Sequence, residues 1–208
     1  MKKVSFVKAM LSMILVLAMG LPAAASAAGS GALDEATKRE WYEEYRKNIE
    51  EVSPESKLGD FGLTLSPFEE FKEEDWKTPR EFRAFAKEMA GSYVGMKSGP
   101  AEEPLPAGSA AKRVYLTIQG VDYGIDIVGD FHTQYEACQG RLVFSGAPSF
   151  TSLSAGAEPW SHIGMESCLI DGGRTCSVTV SGRFTLGGVS KIYLARAEFY
   201  CDPQGNIS

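Results

Sequence analysis

Histidine is nearly missing from this chain: only His132 and His162 occur among 208 residues. A zinc site wants histidines and cysteines clustered at short spacing, and no such cluster occurs. No G-x-S-x-G elbow is present. A Ser/His/Asp arrangement would have to be gathered from Ser161 or Ser167, one histidine, and Asp126 or Asp130, with no local motif to support it. Basic residues are also in deficit, 21 Lys and Arg against 27 Asp and Glu. That balance argues against nucleic acid or an anionic membrane surface, both of which reward clustered cations. There is no internal repeat and no calcium-loop spacing among the acidic clusters Glu43-Glu44, Glu50-Glu51 and Glu73-Glu74-Asp75. The chain therefore reads as a non-enzymatic protein with no cofactor and no metal.

What is present begins with a leader. Lys2, Lys3 and Lys8 make a cationic start, Ala9 to Leu21 is apolar, and Ala25-Ser26-Ala27 is a small-x-small cleavage site. Residues 1–27 are thus a secretory signal peptide cut before Ala28, and the leader resembles those of bacterial exported proteins. The apolar stretch is short and followed by Pro22 and alanines, so no membrane span is expected after cleavage. The expected location is secreted or periplasmic. Losing three lysines leaves 18 basic against 27 acidic groups, a net charge of −9.

Residues 28–97 form an acidic helical region. Trp41, Tyr45, Ile49 and Val52 recur at helical spacing behind Asp34, a plausible N-cap, and Ser53-Pro54 ends the pattern. Ser66-Pro67-Phe68-Glu69 and Thr78-Pro79-Arg80-Glu81 each place a hydroxyl at N-cap, proline at N1 and glutamate at N3, the signature of a helix start. The second leads into Phe82, Phe85, Ala86 and Met89. Residues 98–111, rich in Pro, Gly and Ala, read as a linker. It ends at Lys112-Arg113, a dibasic pair that could also be a processing site.

Residues 112–208 alternate with period two. Val114, Leu116 and Ile118, then Val121, Tyr123, Ile125 and Ile127, predict a hairpin turning at Gln119-Gly120. Arg141 to Ser145 and Ser149 to Ser154 read as further short strands, and Gly187-Gly188 turns the chain into the last one. The fold expected is α+β: the acidic helical region, then an antiparallel β-sandwich or barrel of seven to nine short strands.

Four cysteines, in an exported chain, predict disulfides. A three-residue loop at Asp171-Gly172-Gly173 would set Cys168 directly opposite Cys176, within disulfide reach, and leave Cys138 with Cys201. A two-residue loop would turn Cys168 and Cys176 to opposite faces. Three connectivities remain open on sequence alone.

With no catalytic constellation, the function read from the sequence is binding of an extracellular protein or glycan through the β domain. Tyr115, Tyr135, Trp160, Tyr193 and Tyr200 are the candidate ligand-contacting aromatics. The alternatives are a hydrolase built from scattered carboxylates and histidines, and a precursor cut at Lys112-Arg113 to release a small cysteine-stapled toxin or inhibitor. Intact-mass measurement of exported protein should give a chain starting at Ala28; a chain starting near Val114 would make the first half a pro-region.

Overall fold

The computed structural model describes residues 33–53, 62–100, 108–156 and 160–208. The leader lies outside them. Helix α1 spans Glu35–Val52 and starts where Asp34 Oδ1 accepts the Thr37 N–H at 2.9 Å. Helix α2 spans Pro79–Gly91 behind a complete capping box. In it Thr78 Oγ1 accepts the Glu81 N–H at 3.4 Å, and Glu81 Oε2 accepts the Thr78 N–H at 3.0 Å. Both start signals act locally, by satisfying N–H groups that the first turn leaves bare. The two apolar stripes meet where Tyr45 stacks on Phe82 with ring centroids 3.8 Å apart.

The start signal at Ser66-Pro67 gives only one 3-10 turn, Phe68–Glu70, followed by a second at Glu73–Asp75. Tertiary contacts take over this segment. Ser66 donates its N–H to Gly188 O at 2.8 Å, and its carbonyl accepts the Tyr42 hydroxyl. Phe68, Phe71 and Trp76 gather around Tyr42 and Tyr45.

The strands are β1 (Thr64–Leu65), β2 (Val94–Pro100), β3 (Ser109–Ile118), β4 (Val121–Glu136), β5 (Arg141–Ser154), β6 (Trp160–Ile170), β7 (Thr175–Leu186) and β8 (Val189–Tyr200). They form two antiparallel four-stranded sheets, β2-β3-β4-β5 and β1-β8-β7-β6. Most are longer than expected. Phe131 to Tyr135 continues β4 past an irregularity between Asp130 and His132, and the two short strands expected near Arg141 and Ser149 are one, β5. Between those pairs Phe131 alone spans Gly146, Ala147 and Pro148 of β5, an irregularity that bends the strand instead of ending it.

The hairpins at Gln119-Gly120 and Gly187-Gly188 stand where the alternation put them. Both have two residues at positive φ, 52° and 73° in one, 55° and 74° in the other. That is the turn type matching the twist of the strands it joins. Gly188 is needed twice over, because a Cβ there would lie 2.2 Å from the Phe71 ring. Residues 98–100 and 109–111, read as linker, are strand: β2 pairs with β3 from Val94 to Pro100, and residues 33–208 make one compact unit.

The core lies between the sheets. Val114, Leu116, Ile118, Ile125 and Ile127 face Val178, Val180, Ala195 and Phe199, all buried, and Phe131 touches Phe199 at 5.0 Å between centroids. The last turn of α2 closes one end. There Lys191, on the inward face of β8 and 5% exposed, donates from Nζ to Met89 O at 3.1 Å, Ala90 O at 2.6 Å and Ser92 O at 2.9 Å. Three ammonium hydrogens meet three carbonyls at the helix end, where Met89 O also accepts the Ser92 N–H at 3.3 Å and the Ser92 hydroxyl at 2.7 Å. The negative end of the helix dipole favours the charge, whereas burial pushes its pKa down to about 8. Tyr193 completes the joint, its hydroxyl 2.6 Å from Ser92 Oγ.

Lys191→Met should cost about 3 kcal/mol, because it strands buried carbonyls, read as a fall in the urea midpoint at unchanged slope. In the folded chain Lys191 loses its proton near pH 8, in the unfolded chain near the ordinary 10.5. Between those values the unfolded state binds more protons, so stability from this group rises with pH. Wild type should therefore gain on Lys191→Met from pH 8 to 10; a loss would show that the carbonyls outweigh burial.

Candidate functional site

β5 and β6 are outer strands of their respective sheets and stand side by side. The first residues of β6 are locked across the seam between them. Trp160 lies over Gly182 so closely that a Cβ on that glycine would sit 2.0 Å from the indole. The indole Nε1–H donates to Ser152 Oγ on β5 at 2.9 Å, and the same oxygen lies 2.8 Å from His162 Nδ1. Ser152 is 2% exposed. This joint uses the polar capacity of the serine entirely inside the protein.

Beyond His162 the strand changes character. Register with β7 runs Trp160↔Phe184 and His162↔Gly182, then resumes as Gly164↔Ser181 after a bulge at Ile163. From there Met165, Ser167 and Leu169 stand opposite Val180, Val178 and Cys176, on the core-facing side of the sheet. Yet Met165 is 44% and Leu169 38% exposed, so this stretch overhangs the opposite sheet. Ile163 and Ile170 are also exposed, giving four large apolar side chains on one outer strand. An edge strand leaves every second N–H and C=O facing outward, and proteins ordinarily guard such edges with proline, lysine or a strong bend. The facing edge, β5, carries Gly146 at φ 71° and Pro148. The stretch from Gly164 to Ile170 has neither proline nor lysine, and Glu166 is its one charge.

The residues singled out from the sequence scatter. Trp160 and Tyr193 are core, at 9% and 3% exposure. Tyr115 is half-buried on the outer side of β3, Tyr135 is exposed at the end of β4, and Tyr200 is exposed on the other sheet, its hydroxyl bonded to Glu198. They form no shared platform. Lys112 and Arg113 stand within β3, paired on one side with β2 and on the other with β4. Arg113 makes a two-bond clamp on Asp126, Nε–Oδ1 2.8 Å and Nη2–Oδ2 2.9 Å. Cleavage there would need this strand to leave the sheet. Asp122 and Asp130 accept from Thr117 and Ser109 across the same two strands.

The structure does not join the cysteines as expected: no disulfide links the four, Cys138 and Cys168 being exposed and Cys176 and Cys201 buried. The β6–β7 loop holds four residues rather than three, with Ile170 opposite Thr175. Cys168 therefore faces Ser177, while Cys176 faces Leu169, which turns the two sulfurs to opposite sides of the sheet. Cys201 Sγ sits 3.7 Å from Leu142 O, apart from Cys138 in the β4–β5 turn.

The Ser161 and Ser167 triads do not assemble. The serine that meets a histidine is Ser152, which no sequence motif marks, and its hydroxyl is sealed from solvent. Among the described residues no group of three or more His, Cys, Asp or Glu is placed to hold a metal, and no helix is long and apolar enough to cross a membrane. No protein-family model, curated protein or solved structure matches this chain.

Ser152→Ala should cost about 2 kcal/mol, because the buried Trp160 N–H loses its acceptor. His162→Ala, which leaves that bond in place, should cost less. Urea unfolding of both variants checks the order.

Proposed function

We propose that this chain is an exported, non-enzymatic protein of the extracellular or envelope space, and that it binds an extended segment of a partner protein along β6. The observation that carries the reading is the edge from Gly164 to Ile170, unguarded and flanked by exposed Ile163, Met165 and Leu169. An added strand would satisfy the outward-facing backbone groups of that edge, and its alternate side chains would cover the apolar ones. Backbone hydrogen bonds supply affinity in this mode, and pockets at every second position supply selectivity. The leader at residues 1–27 supports export. The sealed Ser152 hydroxyl favours binding over hydrolysis, since a nucleophile must reach its substrate.

Selection of extended peptides from a random display library against this chain should return sequences with alternating apolar residues. Met165→Lys, which places a charge on the edge, should weaken them at least about tenfold, equivalent to roughly 1.4 kcal/mol. An empty selection, or peptides indifferent to both Met165→Lys and Leu169→Lys, would defeat the reading.

A further inference from the structure

The bulge at Ile163 displaces two cysteines that would otherwise meet. Above it, partner numbers on β6 and β7 follow Trp160↔Phe184 and His162↔Gly182. Continued without a bulge, that same register would set Ile163 opposite Ser181 and Cys168 opposite Cys176. The loop would shorten to Asp171-Gly172-Gly173, with Ile170 opposite Arg174. Directly opposed residues on antiparallel strands lie about 4.5–5.5 Å apart at Cα, inside the range a disulfide spans.

We propose that the lower part of β6 has a second register, one residue away, in which Cys168 and Cys176 form a disulfide. Three features of the structure favour it. The shift is confined: Trp160 on Gly182 and His162 with Ser152 fix the top of the strand, and the bulge already holds the single residue of slack that the shift consumes. Little packing is lost, because the residues that change sides, Met165, Leu169 and Ile170 among them, are exposed already. The present loop also holds Asp171 at φ 54°, beside Gly172 and Gly173 at 65° and 84°. Three consecutive left-handed residues, one of them not glycine, are a strained turn. The three-residue loop needs that conformation only at a glycine.

The oxidant is a small-molecule disulfide. The exposed Cys168 thiolate attacks one of its sulfurs and releases one small thiol. The strand then shifts, and the Cys176 thiolate attacks the Cys168 sulfur of the mixed disulfide, releasing the second. Two protein thiols are oxidised, one small disulfide is reduced, and the two protons leave on the released thiols. Burial, with Cys168 nearby, pushes the Cys176 thiol up to about 11, so the second attack waits on the movement that brings the Cys168 sulfur beside it. Oxidation would move Ile163, Met165 and Leu169 together to the outer face and bring Gly164, Glu166 and Cys168 to the inner one.

The test is to hold the reduced chain in oxidised glutathione, block remaining thiols and digest with trypsin without reduction. Cleavage after Arg174 separates the two cysteines, so a peptide pair joined through Cys168 and Cys176 reports the bond directly. The expected result is that pair, together with a tenfold or slower yield in a variant lacking Ile163, which has no residue to give up. In the oxidised wild type a cross-strand Hα contact between positions 168 and 176 should appear by NMR. Wild type with no such pair, or with either cysteine joined to Cys138 or Cys201 instead, overturns the proposal. So does equal crosslinking in the deletion variant, because the bond would then need no change of register.

Discussion

The indole of Trp160 resting on Gly182 is the constraint on which the β5–β6 side of this sandwich depends. The contact leaves no room for a Cβ. It fixes which residue of β6 lies opposite which residue of β7, and through Ser152 it ties that register to the other sheet. Side chains alternate with period two, so a register set at one point sets the facing of every residue until something interrupts it. The bulge at Ile163 is that interruption. Above it β6 belongs to the core; below it the strand keeps its pairing with β7 but overhangs its cover, and there its apolar side chains meet water.

Two strands away, level with Trp160 across Phe184, different chemistry holds the same sheet. Lys191 brings a charge into the space between the sheet and α2, where it meets the carbonyls at the end of that helix. A neutral side chain of similar length would pack there and leave those carbonyls bare, which is the greater cost. Around it, Phe85 lies 3.2 Å from where a Cβ on Gly187 would stand, and β1 extends the same sheet beside β8. The helical region is therefore built onto the β sheets.

Features governed by near neighbours in sequence were legible. Asp34 and Thr78 start helices because the N–H groups their side chains accept are three residues away, and Gln119-Gly120 and Gly187-Gly188 turn because two adjacent residues must take positive φ. The facing of β3 followed from alternation. Features governed by distant partners were not. Ser66-Pro67 carries the same signature as Thr78-Pro79, yet Tyr42 and Gly188 engage its backbone and no helix follows. The four-residue loop after Ile170 is one residue longer than symmetry about Gly172 suggested, compensated eight residues earlier by a bulge that nothing in the local sequence announces. Ser152 and Lys191 look like ordinary strand residues until the fold supplies Trp160 to one and a helix end to the other. Trp160 and Tyr193 were candidates for a ligand surface because aromatics serve surface and core alike, and period two cannot say which strands lack cover.

The central claim is that β6 is anchored at Trp160 to His162 and open from Gly164 to Ile170. Residue-resolved amide hydrogen exchange tests it most directly. An open edge predicts alternation below the bulge, with amides bonded to β7 slow and those facing outward exchanging quickly, and sustained protection around Trp160 and His162. Uniformly slow exchange from Gly164 to Ile170 would show that the edge is already covered and would contradict the account.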